Sequence, residues 1–178
     1  RVGPSLCAKA LDNRLGVAGL IELFKAAPDN VDLLAAFTVQ EEVGLRGAQT
    51  GAYGVQPDVG IAVDVTVAAD TPEAYKMPMK LGQGPCIKVK DGRMLALPGL
   101  KVLLIETAEA QNIPYQLEVL VGGTTDAAAM QLARSGMPAT CISIACRNVH
   151  TQSEMVDMDD VQNAVKLLLA VLAAPIEI

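Results

Sequence analysis

The sequence predicts an α/β domain built as three layers, with helices on both faces of a mixed, mostly parallel central sheet. Three observations lead there. Short apolar runs alternate with stretches whose apolar residues recur at helical spacing. Gly, Pro, Asn and Asp cluster between them as turns. The 178 residues are 51% apolar yet only 3% aromatic, with no Trp, which suits one compact core of Ala, Val and Leu.

In chain order, residues 1–10 read as a strand or its approach. Asp12 or Asn13 then caps a helix in which Leu15, Ala18, Leu20, Leu23 and Phe24 share helical spacing, ended by Pro28-Asp29-Asn30. A strand over 32–39 runs into Glu41 and Glu42, and a helix rich in Gly and Ala follows over 45–53. Pro57-Asp58 turns the chain into an apolar run over 59–65, interrupted by Gly60 and Asp64. Residues 66–98 are less regular, with a tight turn at Gly82-Gln83-Gly84-Pro85 and a hairpin about Lys90-Asp91-Gly92. A helix over 100–112 and a strand over 115–121 come next. Gly122-Gly123-Thr124-Thr125-Asp126 leads into a helix over 126–135, and a buried strand spans 139–145. A polar loop covers 147–154, and Asp157 caps a last helix over 158–173.

Composition excludes several classes of function. A formal charge of −6 with no basic stretch argues against nucleic-acid binding. Cys7, Cys86, Cys141 and Cys146 have no C-x-x-C spacing and read as reduced core residues of a cytoplasmic protein. The longest apolar run, over 165–176, is too short to span a bilayer, and no signal peptide is visible. Residue 1 is Arg, so a piece of a longer protein is expected.

The residues with chemistry to offer are Asp12, Glu41, Glu42, Asp64 and His150. Each lies at or after an apolar run, and in a sheet wound this way such turns gather along one edge. Several carboxylates brought together repel unless a cation neutralises them. Carboxylates plus one imidazole suit zinc, manganese or cobalt. One carboxylate left free could move protons. Taken singly, each has a plainer reading: Asp12 as a helix cap, Asp64 as a turn former, Glu41-Glu42 as a solvated strand end, His150 as an ordinary surface or core residue. Gly122-Gly123-Thr124 before a helix lacks the G-K-[ST] ending of a phosphate-binding loop.

Six stretches occur together in an order that resembles a known family: Ala10-Leu11-Asp12-Asn13-Arg14, Glu41-Glu42-Val43-Gly44-Leu45-Arg46-Gly47-Ala48, Val63-Asp64-Val65-Thr66, Gly82-Gln83-Gly84-Pro85, Gly123-Thr124-Thr125-Asp126-Ala127 and Arg147-Asn148-Val149-His150-Thr151. The resemblance is to the co-catalytic di-metal aminopeptidases of the tetrahedral (TET) and glutamyl-aminopeptidase type, some of which carry the label "cellulase M". It runs from about residue 8 to 173 and departs at Gly-Gly-Thr-Thr-Asp, where the family has Gly-Gly-Thr-Asp.

What the resemblance implies is specific. The fold is that of a zinc peptidase. Two divalent metal ions, zinc or cobalt, hold a water between them for attack on peptides. Asp12 bridges the ions and precedes a cis peptide to Asn13. Glu42 and His150 bind one ion, Asp64 binds the other, and Glu41 is the general base. Partners are peptide substrates and further copies of the chain, as a dimer or dodecamer, with no nucleic acid and no membrane. The family's early His-x-Asp motif has no counterpart here. The chain therefore resembles the C-terminal part of a catalytic domain, without the upstream segment and the inserted dimerisation domain, and impaired metal binding is expected of it. Two rivals remain: an inactive fragment or assembly domain, and an endoglucanase. The latter needs two free carboxylates roughly 5–9.5 Å apart.

Overall fold

The computed structural model describes residues 3–74 and 76–178. Residues 1 and 2 of the expected first strand lie outside the described residues. Six strands are present: β1 (Ser5–Ala8), β2 (Gly60–Val67), β3 (Cys86–Lys90), β4 (Gln116–Val119), β5 (Ala139–Arg147) and β6 (Glu154–Asp157). The helices are α1 (Leu11–Ala26), α2 (Arg46–Val55), α3 (Pro98–Ala110), α4 (Asp126–Gln131) and α5 (Met158–Leu172).

One mixed sheet holds all six strands, in the order β1-β6-β5-β3-β4, with β2 added on β5. The pairs β2–β5 and β3–β4 are parallel; β1–β6, β5–β6 and β3–β5 are antiparallel. Helices α1, α3 and α5 pack on one face, and α4, backed by α2, packs on the other. This is the three-layer α/β/α arrangement expected, with more antiparallel pairing than the sequence suggested. Among the described residues, no helix is long and apolar enough to cross a membrane.

The period of two along a strand decides what faces where. On β2 and β5, Val65, Ile142, Ile144 and Cys146 join the main core with Leu15, Leu23, Leu104, Leu167 and Val171. The alternate residues, Ala62 and Cys141, face the smaller core with Leu45, Ala127 and Ala128. Asp64 and Thr66 stand on that second face, with Asp64 paired to Ser143 of β5.

Several expectations need correcting. Residues 32–39 form no strand: the segment joins no strand ladder among the described residues, and Leu34, Phe37 and Val39 are exposed. Asp64 is not a turn former but lies inside β2, 8% exposed. Helix α1 is kinked at its start, where Asp12 and Asn13 are non-helical, and Asn13 caps the regular part as expected, its side-chain oxygen accepting from Gly16 N at 2.8 Å. The loop expected over 147–154 is shorter, because β5 runs on to Arg147 and Glu154 starts β6. Helix α4 stops at Gln131, with Arg134 (φ 52) and Gly136 (φ 93) already left-handed. Cys86, Cys141 and Cys146 are buried free thiols as expected, but Cys7 is exposed. The Lys90-Asp91-Gly92 hairpin reduces to a single bridge, Lys90 to Leu95. Asp157 does cap α5, its carboxylate accepting from the Asp159 N–H at 2.8 Å.

Candidate metal centre

Three tight connections and one strand bring the chemical groups together. At the first, the Asp12–Asn13 peptide is cis and both residues depart from helical φ/ψ inside α1. The Asn13 side chain donates to Val63 O of β2 at 2.7 Å and accepts from Gly16 N at 2.8 Å. A Cβ on Gly16 would lie 2.4 Å from Asn13 Oδ1 and 2.7 Å from Val63 O, so only glycine lets α1 start this close to the strand.

The second connection carries Glu41 and Glu42. The N–H groups of Gly44 and Leu45 both donate to Glu41 O, at 3.0 and 2.9 Å, and Gly47 N donates to Val39 O at 2.9 Å. Gln40 (φ 60) and Leu45 (φ 56) are left-handed, uncommon for residues other than glycine. His150 (φ 64) tops the third connection, after β5. Asp64 comes from β2, where its Oδ1 accepts from Val65 N at 2.8 Å.

His150 Nε2 lies 3.2 Å from Asp12 Oδ2 and 3.2 Å from Glu42 Oε1. One ligand atom from each of Asp12, Glu42 and His150 falls within 4.8 Å of the others. Glu41 and Asp64 stand outside that trio but line the same cavity, of about 370 Å³, with all three. The five residues picked out in the sequence are thus brought to one place.

Their electrostatics show the strain of gathering them. Burial first, then Glu42, pushes the Asp12 carboxyl up to about 6. Burial, then Asp126, Glu42 and Asp12, pushes Glu41 up to about 7. Burial pushes Asp64 up to about 8, with Asp12 and Glu41 adding to it against the pull of the Val65 N–H. Carboxylates this crowded keep their protons unless a cation takes their place. Two carboxylates and an imidazole at this spacing are a fitting donor set for a divalent first-row ion.

A family model described as M42 glutamyl aminopeptidase matches residues 2–167. The chain belongs to the M42 family. It is 48% identical over 169 residues to an Acetivibrio thermocellus protein that carries an aminopeptidase name, covering 94% of this chain and 51% of that protein. It superposes on an aminopeptidase from Desulfurococcus kamchatkensis with a TM-score of 0.92 and 41% identity, over 97% of this chain and 50% of the other. It also matches the Pyrococcus horikoshii TET1 peptidase, which can assemble into a tetrahedron or a large octahedral shell (TM-score 0.80, 32% identity, 94% of this chain and 50% of that one). The M42 chain spans about half the length of the relatives it matches.

Two residues of this M42 site escaped the sequence reading. Asp126, at the start of α4, raises Glu41 by its charge and accepts from Thr38 Oγ1 at 2.5 Å. The Gly-Gly-Thr-Thr-Asp turn was the only signal for it. Glu154 is 2% exposed at the start of β6 and accepts main-chain hydrogen bonds from both Asp12 and His150. Nothing in its spacing marks it.

Proposed function

We propose that the protein containing this chain is a metallo-aminopeptidase that removes N-terminal residues from peptides. The observation that supports it is the convergence of Asp12, Glu42 and His150 within 4.8 Å, in a cavity shared with Glu41 and Asp64. Asp12, Glu42 and His150 would hold one divalent ion; Asp64, with Asp12 as the bridge, would hold a second. Zinc or cobalt held there would supply Lewis acidity toward the scissile carbonyl and toward a water. Glu41, outside the ligand trio, takes the proton of the attacking water and passes it to the leaving amine.

The second ion's ligand set is incomplete within the chain. Among the described residues β2 pairs only with β5, and segment 32–39 pairs with no strand. Both line a cavity of about 500 Å³ between α1 and α2. That slot runs along the edge of β2 away from β5, as a place for one further strand would. A strand there would end beside Asp64 and could add the missing ligand, so the chain by itself is an impaired enzyme. The same slot favours a second reading, in which the isolated chain is an inactive part of a larger assembly. Self-association is proposed by likeness to the TET1 shells, and a reducing cytoplasmic setting rests on the four free thiols.

The test is Glu41→Gln in the zinc- or cobalt-loaded protein, assayed on aminoacyl anilides. Turnover should fall by roughly 10²–10⁴-fold while metal content stays unchanged. A Gln variant that keeps most of its activity rules out Glu41 as the base. Activity of the 178-residue chain alone, measured beside it, separates the enzyme from the inactive-part reading.

A further inference from the structure

We propose that Glu154 is a positioning residue that sets the spacing of Asp12 and His150 for the metal; this rests on the metal-site reading above. Its carboxylate is buried, and each oxygen has a separate task. Oε2 accepts from the main-chain N–H of Asp12 at 3.1 Å. Oε1 accepts from the main-chain N–H of His150 at 2.9 Å. Two of the three clustered ligands come from opposite ends of the chain, and one side chain ties their backbones together. The sheet delivers it there: Ala8, the last residue of β1, pairs directly with Glu154.

The charge of Glu154 has no cationic partner among the described residues' ion pairs. Hydrogen bonds from N–H groups to a carboxylate are the strong kind, about twice a neutral one. The His150 loop also packs Val149 against the main core and is closed by bonds within itself, Asn148 Nδ2 to Ser153 O at 3.2 Å and Thr151 Oγ1 to Asn148 O at 2.7 Å. Those contacts seat the loop without tying its main chain to that of Asp12. Glu154 makes that tie, and it stands outside the ligand trio, so its effect on metal passes through the two backbones.

The test compares Glu154→Ala and Glu154→Gln with the wild-type protein by zinc calorimetry and by amide exchange. Residues that orient ligands in this way are worth roughly 10–100-fold in metal affinity. Ala should therefore weaken zinc binding at least tenfold in protein that is folded by circular dichroism. Gln, which keeps one acceptor oxygen and turns its amide NH2 on the other N–H, should fall between. A merely structural role would lower the metal-free melting temperature and leave the zinc Kd of the folded protein within twofold, and that result overturns the proposal. Should Ala fail to fold, Gln gives the same readout. If wild-type protein binds no zinc, the metal-site reading itself has failed. The Glu154 link is then judged on exchange alone: the Asp12 and His150 amides must lose protection together in the variants, and unchanged protection refutes it.

Discussion

Glu118→Leu is expected to destabilise the fold severely, and adding Lys88→Met should largely restore it. Lys88 Nζ and Glu118 Oε1 are 2.5 Å apart, with both side chains fully buried, on directly paired residues of β3 and β4. Thr66 Oγ1 donates to the same Glu118 oxygen at 2.7 Å, while Oε2 has no hydrogen-bond partner among the described residues. Burying two charges offsets most of what their attraction returns, so the intact pair adds little net stability. Removing one member leaves an uncompensated charge in the core, at a cost of about 3–5 kcal/mol. That is a large part of the roughly 5–15 kcal/mol that holds a domain together. The double variant removes both charges and leaves Thr66 without its acceptor, at about 1–3 kcal/mol, partly regained from the apolar swap. It should therefore sit within about 2 kcal/mol of wild type. Urea unfolding at constant m-value measures all four corners of the cycle. Single variants that cost under about 1 kcal/mol, or a double variant equal to the sum of the singles, would refute this reasoning.

Metal-free protein should lose stability as pH rises from about 5 to 8. Asp12, Glu41 and Asp64 hold protons up to about 6, 7 and 8 in the fold, against 3.8, 4.5 and 3.8 ordinarily. The native state thus binds more protons, and this contribution, full below the ordinary values, fades through the raised ones. Zinc needs the same groups ionised, so the rise in melting temperature on adding zinc should grow over that interval; a zinc effect independent of pH contradicts the assignment. Gly47→Ala would place a Cβ 2.5 Å from Val39 N and 2.6 Å from Val39 O. Because these are main-chain atoms, the Glu41-Glu42 turn must shift, at about 1–3 kcal/mol, with weaker zinc binding. Unfolding and calorimetry on the variant check both, and an unchanged zinc Kd argues that the turn does not place Glu42.

The long helices and the strands β2 and β5 were legible because their apolar spacing coincides with what they bury. Leu15 and Leu23 of α1, Leu104 of α3 and Leu167 of α5 all reach one core. Segment 32–39 carries the same kind of apolar signal, but a strand also needs a neighbour, and no single segment reports that. Strand β6 was invisible for the opposite reason. Glu154 and Asp157 give it the polarity of a loop, yet both are buried and satisfied by main-chain N–H groups. The five candidate site residues stood out through their types and their places relative to apolar runs. Glu154 and Asp126 did not, because accepting a main-chain bond or facing another carboxylate leaves no mark in spacing.

The reach of Glu154 from His150 back to Asp12 bears on how the chain folds. Its bond to Asp12 joins residues 142 apart, and β1 meets β6 over a similar span. Contacts this distant in sequence are entropically the slowest to close. The ligand trio therefore forms only once these distant contacts have closed, however much local helix has formed. Zinc added during refolding would be captured only after the first strand has found the sixth, which makes metal uptake a clock for the completion of the sheet.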